Sequence, residues 1–523
     1  MTDRIVCAVD VGTASARAGV FDSAGRQLGR AEHPILLHQP APGHAEHDSG
    51  DIWLAVCAAV KAACQKAGVS GDAVTGICFD ATCSLVVCGE QGRKVGLSER
   101  GGRWDTISWF DHRAMDEADE CTATGHEVLQ YIGGVMSPEM QTPKLMWLKR
   151  RRPDAWSQAR DFFDLADFLT WRATDKKTRS RCTLACKWTY LPHKGGWRPD
   201  FFGSVGLADI VADGRLPVDV AEVGAPIGSL TAAAAAELGL APHCVVATGL
   251  IDAYAGMLGA IGAYADEDRR LALIGGTSSC VMWFSQEPRF VSSIWGPYCG
   301  AAAPGLWASE GGQSATGALL DHVIKLHRQG NEPNGQDHAE IVARVQHLRS
   351  IDPDFGRSLH VLPDFNGNRS PLADPHARGV ICGLDLDGSF DGFCTLYWRS
   401  CVAIALGVRH VLEHLSEHGH KVEHLHVTGG HVRNPLLMEL YTDATGLPVV
   451  ETAQADAVLL GGAIAAATAT GYGDDLIRTC RKMAQVETVR SPNPERRAAL
   501  DRDFRAFQLL HRQQKELRDL LSI

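Results

Sequence analysis

The residue best placed for chemistry is Asp252, a lone acid within residues 249–256, near the middle of the chain. An apolar run at residues 244–247 predicts a buried strand before it, and the Gly/Ala-rich residues 255–262 predict a closely packed helix after it. The carboxylate therefore lies where a strand passes into a helix. It either caps that helix, as aspartate often does, or acts as a base on a bound ligand.

A hairpin near the N-terminus offers groups that bind phosphate. Residues 5–9 form an apolar strand that ends at Asp10 and continues into Gly12-Thr13, and the next predicted strand carries Arg17. Backbone N–H groups, a hydroxyl and a cation around one point suit a phosphate. Asp10 at the strand end could hold a hydrated magnesium ion. An ordinary hairpin is the alternative, since the sequence has no GxxxxGK[ST] loop.

The same pattern recurs half a chain length later. Gly275-Gly276-Thr277 stands between two apolar strands, with Ile274 where the first copy has Asp10. This predicts a duplicated domain with two phosphate-facing loops across a cleft, of which only the first holds a metal.

Two further segments suit a polyol, which needs stacking and several hydrogen-bond partners. One is the strand end Asp80-Ala81-Thr82, and the other places Asp111 beside Trp109, a histidine and an arginine. For Asp111 the alternative is a cap on the helix that we expect to begin there.

These motifs resemble the superfamily of sugar kinases, Hsp70 and actin, in which two ribonuclease-H-like domains clamp ATP. A third element of that superfamily, a Gly-Gly turn at adenosine, matches Gly429-Gly430 with Asn434. Four segments are similar to the FGGY carbohydrate kinases, and within them to the D-ribulokinase branch: residues 137–144, 164–171, 186–190 and 365–375. The resemblance implies an α/β fold with two ribonuclease-H-like domains flanking a catalytic cleft.

The resemblance also implies roles for single residues. Asp252 would be the general base on the sugar hydroxyl, with Asp80, Ala81, Thr82, Asp111, Lys187 and Glu310 also binding substrate. ATP would lie against Gly12, Thr13, Arg17, Gly275, Gly276, Thr277, Gly429, Gly430 and Asn434, with Mg²⁺ at Asp10. Lys187 could instead be a lysine snorkelling from an apolar helix face, and Glu310 a charge at a helix start. Turn chemistry alone could explain residues 364–375, so we expect no catalytic role there.

Length and composition limit the remaining possibilities. A chain of 523 residues is too long to fold around one hydrophobic core of ordinary size. We expect an N-terminal domain at 1–265, a C-terminal domain at 266–480 and a helical extension at 481–523. The extension either packs on its own domain or forms a homodimer. A net charge of −11 argues against a nucleic-acid binder. Without a signal-peptide pattern or membrane segment, and with sixteen cysteines mainly in apolar runs, we expect a cytoplasmic protein with reduced thiols.

The sequence therefore predicts an ATP-dependent kinase of a free ketopentose, D-ribulose above all. L-ribulose, ribitol or another pentitol is the nearest alternative. A nucleotide-driven binding or chaperone module is a different class, but the resemblance extends to about Gly473, and we expect the roughly 50 residues after it to be too few for a peptide-binding domain.

Overall fold

Alternating apolar strands and amphipathic helices fold into two mixed sheets with helices on their faces. The computed structural model describes residues 4–97, 102–328, 332–452, 456–484 and 487–521. The strands are β1 (Ile5–Val11), β2 (Ser15–Phe21), β3 (Gln27–Pro34), β4 (Glu46–His47), β5 (Val74–Ala81), β6 (Leu85–Cys88), β7 (Thr106–Ile107), β8 (Asp161–Asp164), β9 (Arg179–Ser180), β10 (Val220–Ala221), β11 (Pro226–Ser229), β12 (Val245–Ala247), β13 (Leu250–Ile251), β14 (Arg270–Gly275), β15 (Ser279–Ser285), β16 (Trp295–Cys299), β17 (Trp307–Gln313), β18 (His360–Leu362), β19 (Val380–Cys382), β20 (His424–Gly429), β21 (Val449–Thr452) and β22 (Glu487–Arg490).

The α-helices are α1 (Ser49–Ala67), α2 (Met115–Ala123), α3 (Gln141–Arg151), α4 (Pro153–Gln158), α5 (Leu165–Thr174), α6 (Arg181–Lys187), α7 (Pro199–Ser204), α8 (Ala208–Ala212), α9 (Ala232–Leu238), α10 (Asp252–Ile261), α11 (Gly317–His327), α12 (Gly335–Ile351), α13 (Phe390–Glu417), α14 (Pro435–Thr445), α15 (Ala457–Ala469), α16 (Leu476–Met483) and α17 (Pro494–Leu521).

The two sheets repeat one arrangement, which confirms the predicted duplication. In the N-terminal sheet, ordered β11-β12-β5-β1-β2-β3, strand β1 pairs antiparallel with β2 and parallel with β5. In the C-terminal sheet, ordered β16-β17-β15-β14-β20-β21-β22, strand β14 pairs antiparallel with β15 and parallel with β20. Each hairpin closes with one backbone bond, from Gly12 to Ser15 over 3.0 Å and from Gly276 to Ser278 over 2.8 Å. The two glycine-threonine loops are thus equivalent positions of a repeated unit.

Helices α10 and α15 cross between the two sheets with their backbones in contact. Helix α10 touches β5 and β14, and α15 touches β1, β5 and β20. A Cβ on Gly259 would lie 2.0 Å from the Ala457 carbonyl oxygen, and one on Gly461 would lie 1.9 Å from that of Ala255. Only glycine permits such an approach. This crossing therefore sets the distance between the two halves.

The predicted division at residues 265 and 266 does not divide the core. Helices α15 and α16 lie between strands β21 and β22 of the C-terminal sheet in sequence, yet their apolar residues join one buried cluster with Val6 and Ala8 of β1. The reason is composition, because α15 is apolar and small-sided all round, and its residues from Ala457 to Ala467 are buried. A helix of that kind must be covered on every side.

The predicted helical extension contains a strand as well as a helix. Strand β22 pairs antiparallel with β21 at the edge of the C-terminal sheet. Helix α17 buries Leu500, Phe504, Phe507 and Leu510 against the same domain, so the packing alternative is confirmed for this half of the helix. Its outer end exposes Leu517, Leu520 and Leu521. The homodimer stays a prediction.

Two other expectations concern the whole chain. All sixteen cysteines are free thiols, and most of them are buried, as expected. In the described part of the chain, every helix is too short or too polar to cross a bilayer.

Candidate functional site

A cavity of about 340 Å³ lies between the two sheets, and we call it the central cavity. Its lining is drawn from both halves of the chain: Gly12, Thr13, Arg17, Thr82, Cys83, Trp109, Glu139, Lys187, Ile251, Asp252, Ala253, Ile274, Gly275, Gly276, Thr277, Ser278, Cys280, Glu310, Arg369, Gly429, Gly430, Arg433 and Val458. Both glycine-threonine hairpins thus face one space, together with the acid at the start of α10. The juxtaposition predicted from the repeat is present.

Asp252 is the first residue of α10 and not its cap. The capping position is Ile251, which gives no side-chain cap, so the cap interpretation was wrong. The short strand β13 pairs with Asp80 and Ala81 of β5 and so aims the next residue at the cavity. Its carboxylate accepts the Ala253 N–H over 2.7 Å. Burial raises the pKa of Asp252, because water is displaced from the charged form.

Behind the first hairpin, a buried ion pair joins Asp10 and Arg17. The Nη2 of Arg17 lies 2.5 Å from the Oδ2 of Asp10, which has no exposed surface and does not line the cavity. Burial raises the pKa of Asp10 to about 7, although Arg17 opposes the shift. The predicted metal ligand therefore already has a cation beside it, and Arg17 is left with part of its guanidinium on the cavity wall.

Asp80 lies beside Asp10 in the register of β1 and β5, and it is fully buried as well. Burial, together with the neighbouring charges of Asp10 and Asp252, raises the pKa of Asp80 well above its usual range. Neither Asp80 nor Ala81 lines the cavity, whereas Thr82 and Cys83 do. Of the predicted sugar-facing segment only Thr82 thus lines the cavity, because the strand runs on to Ala81 and the cavity begins only beyond it.

Four charged side chains of the cavity lining, Glu139, Lys187, Glu310 and Arg369, form a nearly buried cluster. Lys187 ends α6 and Glu310 lies in β17, so Lys187 does not snorkel to solvent and Glu310 is not at a helix start. The guanidinium of Arg369 lies 3.6 Å from Glu310 and 3.4 Å from Glu139. Burial opposes the charges of Lys187 and Arg369, but the neighbouring acids hold both pKa values above their usual range.

Sequence reasoning missed Arg369 and Glu139. Both lie in segments that were used only for the resemblance, and no catalytic or binding role was expected for residues 364–375. One indication was present in the sequence, because Arg369 lies in a turn-forming loop and an arginine is buried only when a partner balances its charge. Pairing in space between Glu139 and Arg369, which are 230 positions apart, could not be read from a single sequence.

Aromatic rings support this charged cluster and connect it to the hairpin. Trp295 of β16 lies under both cations, with its ring centre 4.2 Å from Lys187 Nζ and 5.0 Å from Arg369 Cζ. The Nε1 of Trp109 donates to the Oγ1 of Thr13 over 3.0 Å.

Asp111 is away from the cavity lining: its carboxylate binds Arg113, which lies 2.7 Å away, and the Ala45 N–H, and α2 begins only at Met115.

A second cavity of about 730 Å³, the outer cavity, adjoins the central one through shared residues of both glycine turns, Gly276, Thr277 and Gly430. Its other walls come from α11, α12 and the start of α14. Asn434 lines it as predicted, although its side chain also caps α14 and donates to Tyr397 over 3.2 Å. A long ligand can therefore extend from the outer cavity past the second hairpin into the central cavity.

His431 links the two glycine turns. Its Nε2 lies 3.1 Å from the Gly276 carbonyl oxygen and its Nδ1 lies 2.8 Å from the Tyr441 hydroxyl. Burial lowers the pKa of His431 to about 4, so the ring is neutral and can donate from Nε2 while accepting at Nδ1. Together with Gly429, whose φ of 84° favours glycine, it fixes the backbone that separates the two cavities.

Comparison with known proteins decides the family. The family model described as the N-terminal domain of the FGGY family of carbohydrate kinases matches residues 5–259, and the corresponding C-terminal model matches residues 271–470. The chain belongs to the FGGY family of carbohydrate kinases. It is therefore a sugar kinase, and the chaperone-type alternative is excluded.

Relatives of this FGGY kinase cover nearly its whole length. An FGGY carbohydrate kinase domain-containing protein of Danio rerio is 43% identical over 98% of both chains. D-ribulokinase YDR109C of Saccharomyces cerevisiae is 37% identical over 92% of this chain and 74% of the yeast protein. The crystal structure of xylulose kinase from Rhodospirillum rubrum superimposes with a TM-score of 0.77 at 25% identity, covering 98% and 99% of the two chains. The fold is thus the ribonuclease-H-like sugar kinase fold, as predicted.

Proposed function

We propose that this FGGY kinase phosphorylates a free ketopentose with ATP, converting D-ribulose to D-ribulose 5-phosphate. The observation that carries the proposal is the single cavity lined by Asp252, the second glycine-threonine hairpin, Lys187 and Glu310. The 37% identity to a yeast D-ribulokinase supports the choice of sugar.

The charges of the cavity support a neutral polyol. Lys187 and Arg369 are balanced by Glu139 and Glu310, so this wall presents donors and acceptors without a surplus of either sign. A phosphorylated or carboxylated sugar would bring a negative charge for which this wall has no surplus cation. Hydroxyl groups, in contrast, can accept from the two cations and donate to the two carboxylates.

In this proposal Asp252 acts as the general base. Its carboxylate accepts the proton of the sugar hydroxyl as the oxygen–γ-phosphorus bond forms. The bond between the γ-phosphorus and the bridging oxygen breaks, and its electron pair leaves with ADP. The raised pKa of Asp252 makes the carboxylate a stronger proton acceptor. Backbone N–H groups of the second hairpin and the side chain of Arg17 would bind the transferring phosphoryl group, which is supported by their lining the same cavity as Asp252.

We place the nucleoside in the outer cavity and Mg²⁺ near Asp10. The carboxyls of Asp10, Asp80 and Asp252 interact with one another, with Arg17 as their nearby cation. Burial and mutual repulsion raise the pKa values of Asp10 and Asp80, so a divalent ion nearby would favour their charged forms. The described residues contain no set of three or more His, Cys, Asp or Glu side chains that would form a metal cage. Since Asp10 does not line the cavity, the ion would be held by phosphate oxygens and water, with Asp10 reached through water, and it would neutralise phosphate charge.

The test is ADP release from ATP with D-ribulose, L-ribulose, D-xylulose, ribitol and D-arabitol, followed by NMR of the product. We expect the highest kcat/KM with D-ribulose and a phosphate ester at carbon 5. A higher value with L-ribulose or ribitol would assign the nearest alternative. Turnover that does not depend on any polyol would overturn the proposal.

We infer a cytoplasmic location from the unpaired thiols, which oxidising compartments rarely leave free. Fractionation of cells that express the natural protein tests this. The homodimer is tested by light scattering: a mass near twice 56.4 kDa supports it, and a mass near 56.4 kDa excludes it.

A further inference from the structure

Arg369 is presented to the central cavity by residues 364–375, which we call the arginine loop. This loop belongs to the C-terminal half, but its guanidinium contacts Glu139 of the N-terminal half. Arg369 therefore crosses the cleft between the halves, and its position depends on how firmly the loop is held.

The loop is closed on itself by Asn368, the residue just before Arg369. Its side chain donates to Asp364 over 3.0 Å and accepts the Leu372 N–H over 3.1 Å. Its backbone pairs with Asp374 through two bonds of 2.8 Å. Asp364 and Asp374, near the two ends of the loop, thus control the residue that carries Arg369 into the cavity.

The C-terminal helix α17 reaches both of these aspartates. Arg518 Nη1 donates to Asp374 over 2.6 Å, with side chains only 18% and 24% exposed. His511 Nδ1 lies 3.4 Å from Asp364 Oδ2, without hydrogen-bond geometry, and both side chains are nearly buried. Residues seven positions apart lie on one face of a helix, so a single face of α17 supports the arginine loop.

The inner turns of α17 make this support rigid. Phe504 and Phe507 are buried against α13, and the His511 ring lies 4.7 Å from Phe507 and 5.3 Å from His410 of α13. The helix is thus fixed to the domain before it reaches the loop. Arg518 does not line the central cavity, so any effect it has on substrate must pass through Asp374.

We propose that α17 is a positioning element for the sugar, in which Arg518 holds the arginine loop so that Arg369 is preorganised in the cavity. This rests on the proposed sugar kinase function. Without the Arg518–Asp374 pair the loop has more conformations, and sugar binding must then supply the cost of ordering it. The nucleoside of ATP lies in the outer cavity, whose lining contains no residue of the arginine loop, so ATP binding does not require the loop.

Two variants and a control test the proposal. Arg518→Gln removes the charge, and Arg518→Lys keeps it with fewer donors. Arg512→Gln changes an exposed arginine of the same helix. For Arg518→Gln we expect the sugar KM to rise several-fold, with the ATP KM and the thermal midpoint unchanged. The Lys variant should fall between it and the wild type, and Arg512→Gln should match the wild type.

A cycle with Asp374→Asn shows whether the effect passes through this pair. Asp374→Asn alone should reproduce the rise in sugar KM, and Arg518→Gln/Asp374→Asn should add little to either single change. Additive effects would contradict the proposal. So would equal rises in both KM values with a lower thermal midpoint, because these indicate a general loss of structure.

Amide hydrogen exchange separates this inference from the proposed function, since it needs no substrate. In Arg518→Gln the amides of Asn368, Ser370 and Leu372, all hydrogen-bonded in the structure, should exchange faster than in the wild type and in Arg512→Gln. Unchanged exchange overturns the inference even if the chain phosphorylates D-ribulose. Faster exchange in a protein that turns over no polyol would support the coupling and overturn only the function.

Discussion

The guanidinium of Arg17 lies 2.5 Å from the fully buried carboxylate of Asp10. Arg17 also lines the central cavity, so one side chain both neutralises a buried acid and faces the space in which we propose that phosphate binds. The sequence predicted that Arg17 binds phosphate and that Asp10 binds a metal ion. In the structure Arg17 lines the cavity and is also the cation beside Asp10.

Replacing Arg17 should affect activity and stability separately. We expect Arg17→Met to lower kcat/KM by about 100-fold, as is typical when one charge-stabilising donor is lost. It should also lower stability, because Asp10 is left without its cation. Since the pKa of Asp10 is already raised, the lost stability should be greater at pH 8.5 than at pH 6, where protonation relieves the charge.

The second variant for this pair is Arg17→Met/Asp10→Asn, measured by urea unfolding and by ADP release. Removing the buried charge should restore much of the stability but none of the activity. Arg93→Met, at an exposed side chain, is the control. If the double variant were as unstable as Arg17→Met, the ion pair would not be the cause.

Replacing Asp252 by asparagine should abolish phosphoryl transfer and leave ATP binding intact. The amide keeps the size of the side chain but cannot accept the proton, and a general base contributes about 10²- to 10⁴-fold. Calorimetric titration with ATP and a single-turnover assay measure the two quantities. The exposed Asp72→Asn is the matched control. Turnover within a few-fold of the wild type would remove Asp252 from this role.

Glu139→Gln should weaken the binding of the sugar without affecting the binding of ATP. The change leaves Arg369 with Glu310 as its remaining carboxylate partner, and the sugar loses a charged acceptor, so we expect the sugar KM to rise by about tenfold. Initial rates at saturating ATP measure this, with the exposed Glu90→Gln as control. An unchanged sugar KM would show that Glu139 is only structural.

His431 should make the protein less stable in mild acid. Its pKa is about 4 in the folded chain and near 6.5 when exposed, so between these values only the unfolded state binds a proton. Stability is complete above pH 6.5 and falls as the pH drops towards 4. Between pH 7.5 and pH 5.5 the protonation of His431 in the unfolded state lowers the free energy of unfolding by about 1 kcal/mol.

The comparison for His431 is His431→Gln, which can still donate to the Gly276 carbonyl but does not titrate. Its urea midpoint should fall less between pH 7.5 and 5.5 than that of the wild type, whereas the exposed His243→Gln should behave as the wild type. Equal falls in all three proteins would show that His431 is not buried as a neutral ring.

The local parts of the site were accessible from the sequence. The local pattern predicted the hairpin residues Gly12, Thr13, Gly275 and Thr277, because an apolar strand followed by Gly-Thr and a second apolar strand is typical of a β-hairpin. Their repetition predicted two related sheets, and the sheets follow the same order. Asp252 was found for the same reason, as a lone acid at a strand-to-helix junction.

Burial and long-range pairing were not accessible. Asp10, Asp80 and Asp111 are acids that suit a binding site, yet none of them lines the cavity. Asp10 is paired with Arg17, Asp80 lies beside Asp10, and Asp111 is paired with Arg113. A strand pattern shows where an acid ends a strand but not how far the strand continues. Arg369 and Glu139 meet only because the two halves fold against each other.

The glycine contacts between α10 and α15 have a consequence for inherited and engineered changes. Neither Gly259 nor Gly461 lines the central or the outer cavity, but a methyl group at either would overlap a carbonyl oxygen about 2 Å away. The helices could accept it only by moving apart, and Asp252 on α10 would move with them. Substitutions at these two ligand-free positions should therefore be as damaging to the enzyme as the loss of Asp252 itself.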